Sequence, residues 1–223
     1  MPDSMTNFAT ARRMMVDGQL RTYDITDQEL LSAMLEVPRE KFVPATMAGI
    51  AYLDTDVAVG HERRMLKPMV LAKLIQAAGI GPSDHVLDVG CATGYSSAVL
   101  AKLAGSVVAL EADAGLAETA RRTLAGAGAA SVSVVSGPLA EGCPSRGPYD
   151  AILINGSVET VPPQLLRQLK EGGRLTTVVG AGPASKAILY RWLGGDGGVS
   201  SRPIFDATGA LLPGFSKPAE FVF

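Results

Sequence analysis

The run with the clearest chemical content is Val86-Leu87-Asp88-Val89-Gly90-Cys91-Ala92-Thr93-Gly94-Tyr95. An apolar stretch ends near an acid, turns through glycines and enters a helix. Gly90 and Gly94 permit tight backbone turns and leave room for a ligand against the main chain. Such a turn at the carboxyl end of a strand is where open α/β sheets bind ligands. A dinucleotide loop needs glycine at its first, third and sixth positions. Those are Gly90, Ala92 and Tyr95, so a bulky aromatic stands where the third glycine lets the helix pack closely, and the dinucleotide reading fails. A second acid, Glu111, ends the next apolar run, Val107-Val108-Ala109-Leu110-Glu111.

A basic stretch lies upstream, Gly60-His61-Glu62-Arg63-Arg64-Met65-Leu66-Lys67-Pro68. Arginine can hold a carboxylate or phosphate bidentately, so Arg63, Arg64 and Lys67 read as an anion-binding group or as a solvated positive loop. His61 lines the same loop. His85 opens the first apolar run and reads as structural, and Cys91 as a small filler in the turn. No His, Cys and carboxylate set has metal-ligand spacing, so no metal is expected. No Ser, His and Asp fall in a recognised nucleophile arrangement.

The elements that must position these groups divide the chain in two. Residues 1–67 read as a helical N-terminal extension followed by the basic loop. Phe8, Met14, Met15 and Leu20 suggest one amphipathic stretch. Thr26 and Glu29 form a capping-box pattern opening a helix that stops before Pro38. A loop is expected from about 52 to 67, then a helix with Pro68 in its first turn, ending near Gly79. Residues 68–223 read as an α/β domain with a β tail. Strands are expected over 85–89, 107–111, 132–135, 151–154 and 174–179, alternating with helices over 95–103, 115–125 and 163–169. Such alternation implies parallel βαβ units covered on both faces. The pattern 188–193, a glycine-rich turn, and 199–205 predicts an antiparallel hairpin, and Phe221-Val222-Phe223 an added strand or a cover for a sheet edge.

Composition narrows the class further. The 223 residues are 47% hydrophobic and 19% charged, with a formal net charge of −2, which excludes disorder as the main state and nucleic-acid binding through bulk charge. Mean hydropathy is +0.22, yet apolar runs are too short for the roughly twenty residues of a membrane span. The N-terminus shows no signal-peptide pattern, and two cysteines point to a reducing compartment. A cytoplasmic protein is expected, a monomer or small homo-oligomer.

The run from Asp88 to Gly94 resembles the nucleotide-loop motif of class I S-adenosylmethionine-dependent methyltransferases, with Ala92 for the middle glycine. Gly18-Gln19-Leu20-Arg21, Val37-Pro38-Arg39-Glu40-Lys41-Phe42-Val43-Pro44, Ala51-Tyr52, Pro148-Tyr149-Asp150-Ala151-Ile152 and Leu169-Lys170-Glu171-Gly172-Gly173-Arg174-Leu175 look like the protein-L-isoaspartate O-methyltransferase family. The resemblance runs in order over about residues 11–180. It implies a Rossmann-like, mostly parallel sheet with an antiparallel C-terminal hairpin, and S-adenosyl-L-methionine as cofactor. It also implies methylation of the α-carboxylate of isoaspartyl residues in damaged proteins or peptides.

The implied cofactor contacts are Asp88, Gly90, Cys91, Ala92, Gly94, Glu111, Gly137 and Leu139, with Glu111 gripping the ribose hydroxyls. On the acceptor side the implied positions are His61, Arg64 and Leu66, and methyltransferases often place further polar groups where Asn155-Gly156-Ser157 stands. Two departures are plain. The family's loop usually reads Gly-x-x-Gln-Thr-Ile-Ser-Gln-Pro, so Arg64 stands for the Thr and Leu66 for the Ser, and a leucine side chain donates no hydrogen bond. The family's Gly-Asp-Gly after the third strand is Gly137-Pro138-Leu139 here. The alternative they raise is another anionic acceptor, or a cofactor-binding sensor or partner module.

Overall fold

The computed structural model describes residues 7–195 and 198–216. The N-terminal hexapeptide, part of the expected glycine-rich turn and the expected strand or edge cover at 221–223 lie outside the described residues.

Helix α1 (Phe8–Met15) is capped by Asn7, whose side chain accepts from the Thr10 N–H, and runs on through a π-helical turn (Val16–Leu20) and a 3-10 turn (Arg21–Tyr23). Helix α2 (Gln28–Glu36) begins one residue later than the capping-box reading places it. Asp27 accepts from the Leu30 N–H at 3.1 Å and is the true cap. The Thr26 and Asp27 N–H groups both donate to the Gln76 side-chain oxygen, at 2.8 and 3.1 Å, so a side chain from a later helix takes over the capping work.

The expected loop at 52–67 contains a hairpin, β1 (Val57–Gly60) and β2 (Arg63–Met65), with His61 and Glu62 at positive φ in its turn. Strands this short, one of them opening Arg-Arg, carry no apolar alternation to reveal them. Helix α3 (Pro68–Ala78) has proline in its first turn and the left-handed Gly79 at its end, as expected.

The remaining strands form one sheet: β3 (His85–Val89), β4 (Ser106–Glu111), β5 (Ser133–Ser136), β6 (Tyr149–Val158), β7 (Leu169–Val179), β8 (Lys186–Trp192) and β9 (Val199–Asp206). Their order is β5-β4-β3-β6-β7-β8-β9, parallel from β5 to β7 and antiparallel for the last two pairs. Helices α4 (Tyr95–Leu100), α5 (Ala114–Gly126) and α6 (Pro163–Leu166) make the connections after β3, β4 and β6.

Side chains alternate between two cores, as the strand period of two requires. Val86, Ala109 and Leu153 pack with Met15, Leu31, Phe42, Leu71 and Leu124, so the N-terminal helices share a core with α3, α4 and α5. Leu87, Val89, Val108, Leu110 and Ile152 pack on the other face with Leu165, Leu212 and Phe215.

One strand differs from expectation in a way that shapes the site. β6 does not end at Ile154 but runs through Asn155-Gly156-Ser157 to Val158, past the end of β3. The edge that β3 vacates is taken by the tail. The Ser157 N–H donates to Ala210 O at 2.8 Å and the Leu212 N–H donates to Ser157 O at 2.9 Å. Leu212 is thereby carried over the carboxyl end of β3.

Candidate functional site

Strand order reverses at β3, with β4 on one side and β6 on the other, and the carboxyl end of a strand at such a switch point is where open α/β sheets bind ligands; here Arg63 and Leu212 occupy it. The turn after β3 holds Gly90 at φ +78°, Ala92 at φ +50° and Gly94 at φ +93°, the last as the residue before α4. A left-handed alanine costs about 1 kcal/mol relative to glycine. It is offset here, because the Ala92 N–H donates to Glu111 Oε2 at 2.8 Å.

Glu111 sits fully buried at the end of β4 and accepts from three backbone N–H groups: Ala92, Ala112 at 2.9 Å and Asp113 at 3.2 Å. Its fourth donor is the guanidinium of Arg63, through Nη1. Arg63 Nη2 donates in turn to Gly90 O at 3.0 Å. Arg63 was read from the sequence only as part of a basic cluster, with Arg64 as the acceptor-side residue. β2 buries Arg63 and Met65 and exposes Arg64, so it is Arg63 that reaches Glu111. Strand alternation was the available signal, hidden by the loop assignment.

Asp88, at the fourth position of β3, is wholly buried. Ser96 and Ser97 Oγ both donate to its Oδ2 at 2.6 Å, while Oδ1 has no partner. Burial pushes its carboxyl up to about 6, outweighing the two seryl hydrogen bonds that lower it. Asn155 Nδ2 donates to Ser96 Oγ at 2.6 Å, and its Oδ1 is also unpartnered. Two orphaned acceptors thus lie in one network joining β3, α4 and β6. Ser157 instead donates to the Gly180 carbonyl, which leaves it in the sheet rather than facing a ligand.

The other expected positions scatter. Cys91 is buried in the turn, where desolvation raises its thiol well above the usual value. The Gly137 N–H donates to Glu111 O at 3.1 Å, beside the cleft. Leu139 is buried in the second core, so only its backbone can approach a ligand. His61 stands at the hairpin tip with Nδ1 2.9 Å from Asp113 Oδ2. Arg64 is exposed, with Nη1 3.4 Å from Asp56 O. Leu66 is buried in the first core, and its carbonyl accepts from Arg39 Nη2 at 2.7 Å.

Arg39 was legible only as part of a motif. It is 0% exposed, donates through Nε to Ala51 O at 2.7 Å, and lies over the Tyr95 ring at 4.7 Å. Tyr95 packs edge-on to Phe42 and stays out of the crevice.

These residues fit a sulfonium nucleoside. The acid at the β4 end, the glycine turn and the unpartnered Asp88 oxygen present acceptors and open main chain to a ligand rich in donors and positive charge. The space against Gly90 is filled only by side-chain ends: an added Cβ there would lie 2.9 Å from Arg63 Nη2 and 3.2 Å from a Leu212 methyl.

The family model for protein-L-isoaspartate(D-aspartate) O-methyltransferase matches residues 11–194. A protein-L-isoaspartate O-methyltransferase of Koribacter versatilis is 41% identical over 180 residues, covering 81% of each chain. A solved protein-L-isoaspartate O-methyltransferase superposes with a TM-score of 0.77 at 26% identity, covering 91% of this chain and 66% of that one. A putative one from Plasmodium falciparum, solved in complex with S-adenosyl-L-homocysteine, shares the fold at TM-score 0.77 and 20% identity, covering 90% of this chain and 97% of that one. The chain belongs to the protein-L-isoaspartate(D-aspartate) O-methyltransferase family of S-adenosylmethionine-dependent methyltransferases.

Proposed function

We propose that this chain O-methylates the α-carboxylate of isoaspartyl residues in proteins or peptides, with S-adenosylmethionine held above β3 and β4. The observation that carries the reading is the convergence of Glu111, the Gly90–Gly94 turn and the orphaned Asp88 oxygen at the point where strand order reverses. Glu111 accepts from the ribose diol, the turn offers main chain, and Asp88 contributes negative charge. The cofactor supplies a methyl group activated by its positive sulfur.

An acceptor carboxylate is already ionised at neutral pH, so the protein need not provide a general base. Its task is to hold the carboxylate oxygen in line with the methyl and to keep water away. The hairpin β1–β2 faces the acceptor side, and Arg64, exposed and 3.4 Å from the Asp56 carbonyl, provides a guanidinium for the incoming anion. We further propose that the protein acts in the cytoplasm, as a monomer or small homo-oligomer and without nucleic acid. Among the described residues, no helix is long and apolar enough to cross a membrane.

One observation favours a second acceptor class. Leu66 is 2% exposed, and its methyl would lie 3.1 Å from a Cβ added at Gly209, so no side-chain hydroxyl is presented at this position. An acceptor held by arginine alone could be another anion. Incubation with methyl-labelled cofactor and matched isoaspartyl and aspartyl peptides separates the cases. Base-labile label on the isoaspartyl peptide alone is the expected result. Label only on another acceptor in a cell extract would establish the second class, and cofactor binding without any transfer would contradict both. Leu66→Ser is expected to increase isoaspartyl methylation.

A further inference from the structure

We propose that Arg63 is a built-in competitor for the ribose position, so that the hairpin must withdraw before the cofactor can bind. This rests on the reading of the crevice as the S-adenosylmethionine site. A carboxylate has about four lone-pair sites. Glu111 meets four donors, unevenly: Oε1 takes three, the backbone N–H groups of Ala112 and Asp113 and Arg63 Nη1, while Oε2 takes the Ala92 N–H alone. Arg63 is the one movable donor. A ribose diol that binds both carboxylate oxygens needs a site on Oε1, and the crowded Oε1 yields one only where Arg63 leaves.

Charge points the same way. Arg63 is 5% exposed and neutralises Glu111 within a cleft meant for a cation. Its Nη2 also lies against Gly90, where ligand would touch main chain. The hairpin is fastened a second time, outside the cleft, by His61 Nδ1 to Asp113 Oδ2 at 2.9 Å. Glu111 and Asp113 are two residues apart, so the two contacts clasp one corner of the fold from inside and outside. Because Arg64 and Leu66 follow Arg63 by one and three residues, expelling Arg63 also moves the acceptor side. Cofactor loading is thereby coupled to arrangement of the acceptor loop.

Calorimetric titration with S-adenosylhomocysteine tests this on wild type and Arg63→Gln, which keeps a polar side chain and removes the charge. At least tenfold tighter binding by Arg63→Gln is expected. Should that variant fold poorly, a crystal of the wild-type complex gives the answer directly: the guanidinium is expected off Glu111. Equal or weaker binding by a folded Arg63→Gln, or Arg63 still paired with Glu111 beside bound nucleoside, would overturn the inference while leaving the cofactor site intact. No binding by either protein would remove the cofactor reading and the inference together.

Discussion

Asp88 is an acid held where its charge is expensive. Desolvation lifts its folded-state value to about 6, against about 4 in an unfolded chain, so the folded protein binds more protons across that window. The contribution of Asp88 to stability is therefore full below about pH 4, falls as pH rises, and levels off above pH 6. Two pK units correspond to about 3 kcal/mol. In urea unfolding, the wild type should lose about that much stability relative to Asp88→Asn between pH 4 and pH 7; a difference independent of pH would contradict the assignment. Arg39 poses the opposite problem, a buried cation with one nitrogen, Nη1, unpartnered. Desolvation pulls its value down, and its worth lies in spanning two buried carbonyls, those of Ala51 and Leu66. Leaving a buried carbonyl without a donor costs about 1–3 kcal/mol. Arg39→Met should thus lose about 2–4 kcal/mol by urea denaturation, with relief of the buried charge offsetting part of the loss. Arg39→Lys should recover little, because one ammonium lacks the planar fork that reaches both oxygens. Full recovery by lysine would show that charge alone is what matters.

At the scale of elements, the turn after β3 is the most constrained part of the molecule. Gly90→Ala meets two obstacles, a positive φ and a Cβ placed 2.9 Å from Arg63 Nη2. The variant should lose about 1–2 kcal/mol of stability in urea unfolding, from left-handed strain and displacement of Arg63. Unchanged stability would mean that the turn and Arg63 accommodate the added methyl without strain. This turn was legible in the sequence because its residues announce themselves: apolar strand, acid, glycines, helix. The parallel strands were legible for a related reason, since strands covered on both faces read as unbroken apolar runs. Where polar or small residues interrupt the run, legibility failed. β6 continues through Asn155-Gly156-Ser157, and β7 begins at Leu169 rather than Arg174 because Lys170-Glu171-Gly172-Gly173 looks like a loop. The hairpin was missed for the same reason, and with it the inward direction of Arg63. The helix cap moved from Thr26 to Asp27 because Gln76, fifty residues away, supplies the acceptor that a local pattern assigns to the capping box. Long-range donors and acceptors are invisible to spacing rules.

At the scale of the whole molecule, the N-terminal helices are not an appendage in the energetic sense. Met15, Leu20 and Leu31 share one core with Val86, Leu71 and Leu124, so unfolding should be a single event. Trp192, the chain's only tryptophan, lies in β8 near the sheet edge opposite β5, whereas far-ultraviolet dichroism reports all the helices. The two signals should melt together, and an earlier dichroism transition would indicate a separately folding extension. Ligand binding draws on the same whole-molecule balance. At a concentration one hundred times its dissociation constant, S-adenosylhomocysteine should stabilise the fold by about 2.7 kcal/mol. For a chain of this size that is a rise in melting temperature of about 5–10 °C. The most direct test of the cofactor cleft is calorimetric titration of wild type and Glu111→Ala with that nucleoside. One-to-one binding by wild type, weakened by about 1–3 kcal/mol in Glu111→Ala, is the result predicted for an acid that grips the ribose. Equal affinity in the two proteins, or no binding to wild type, would contradict it.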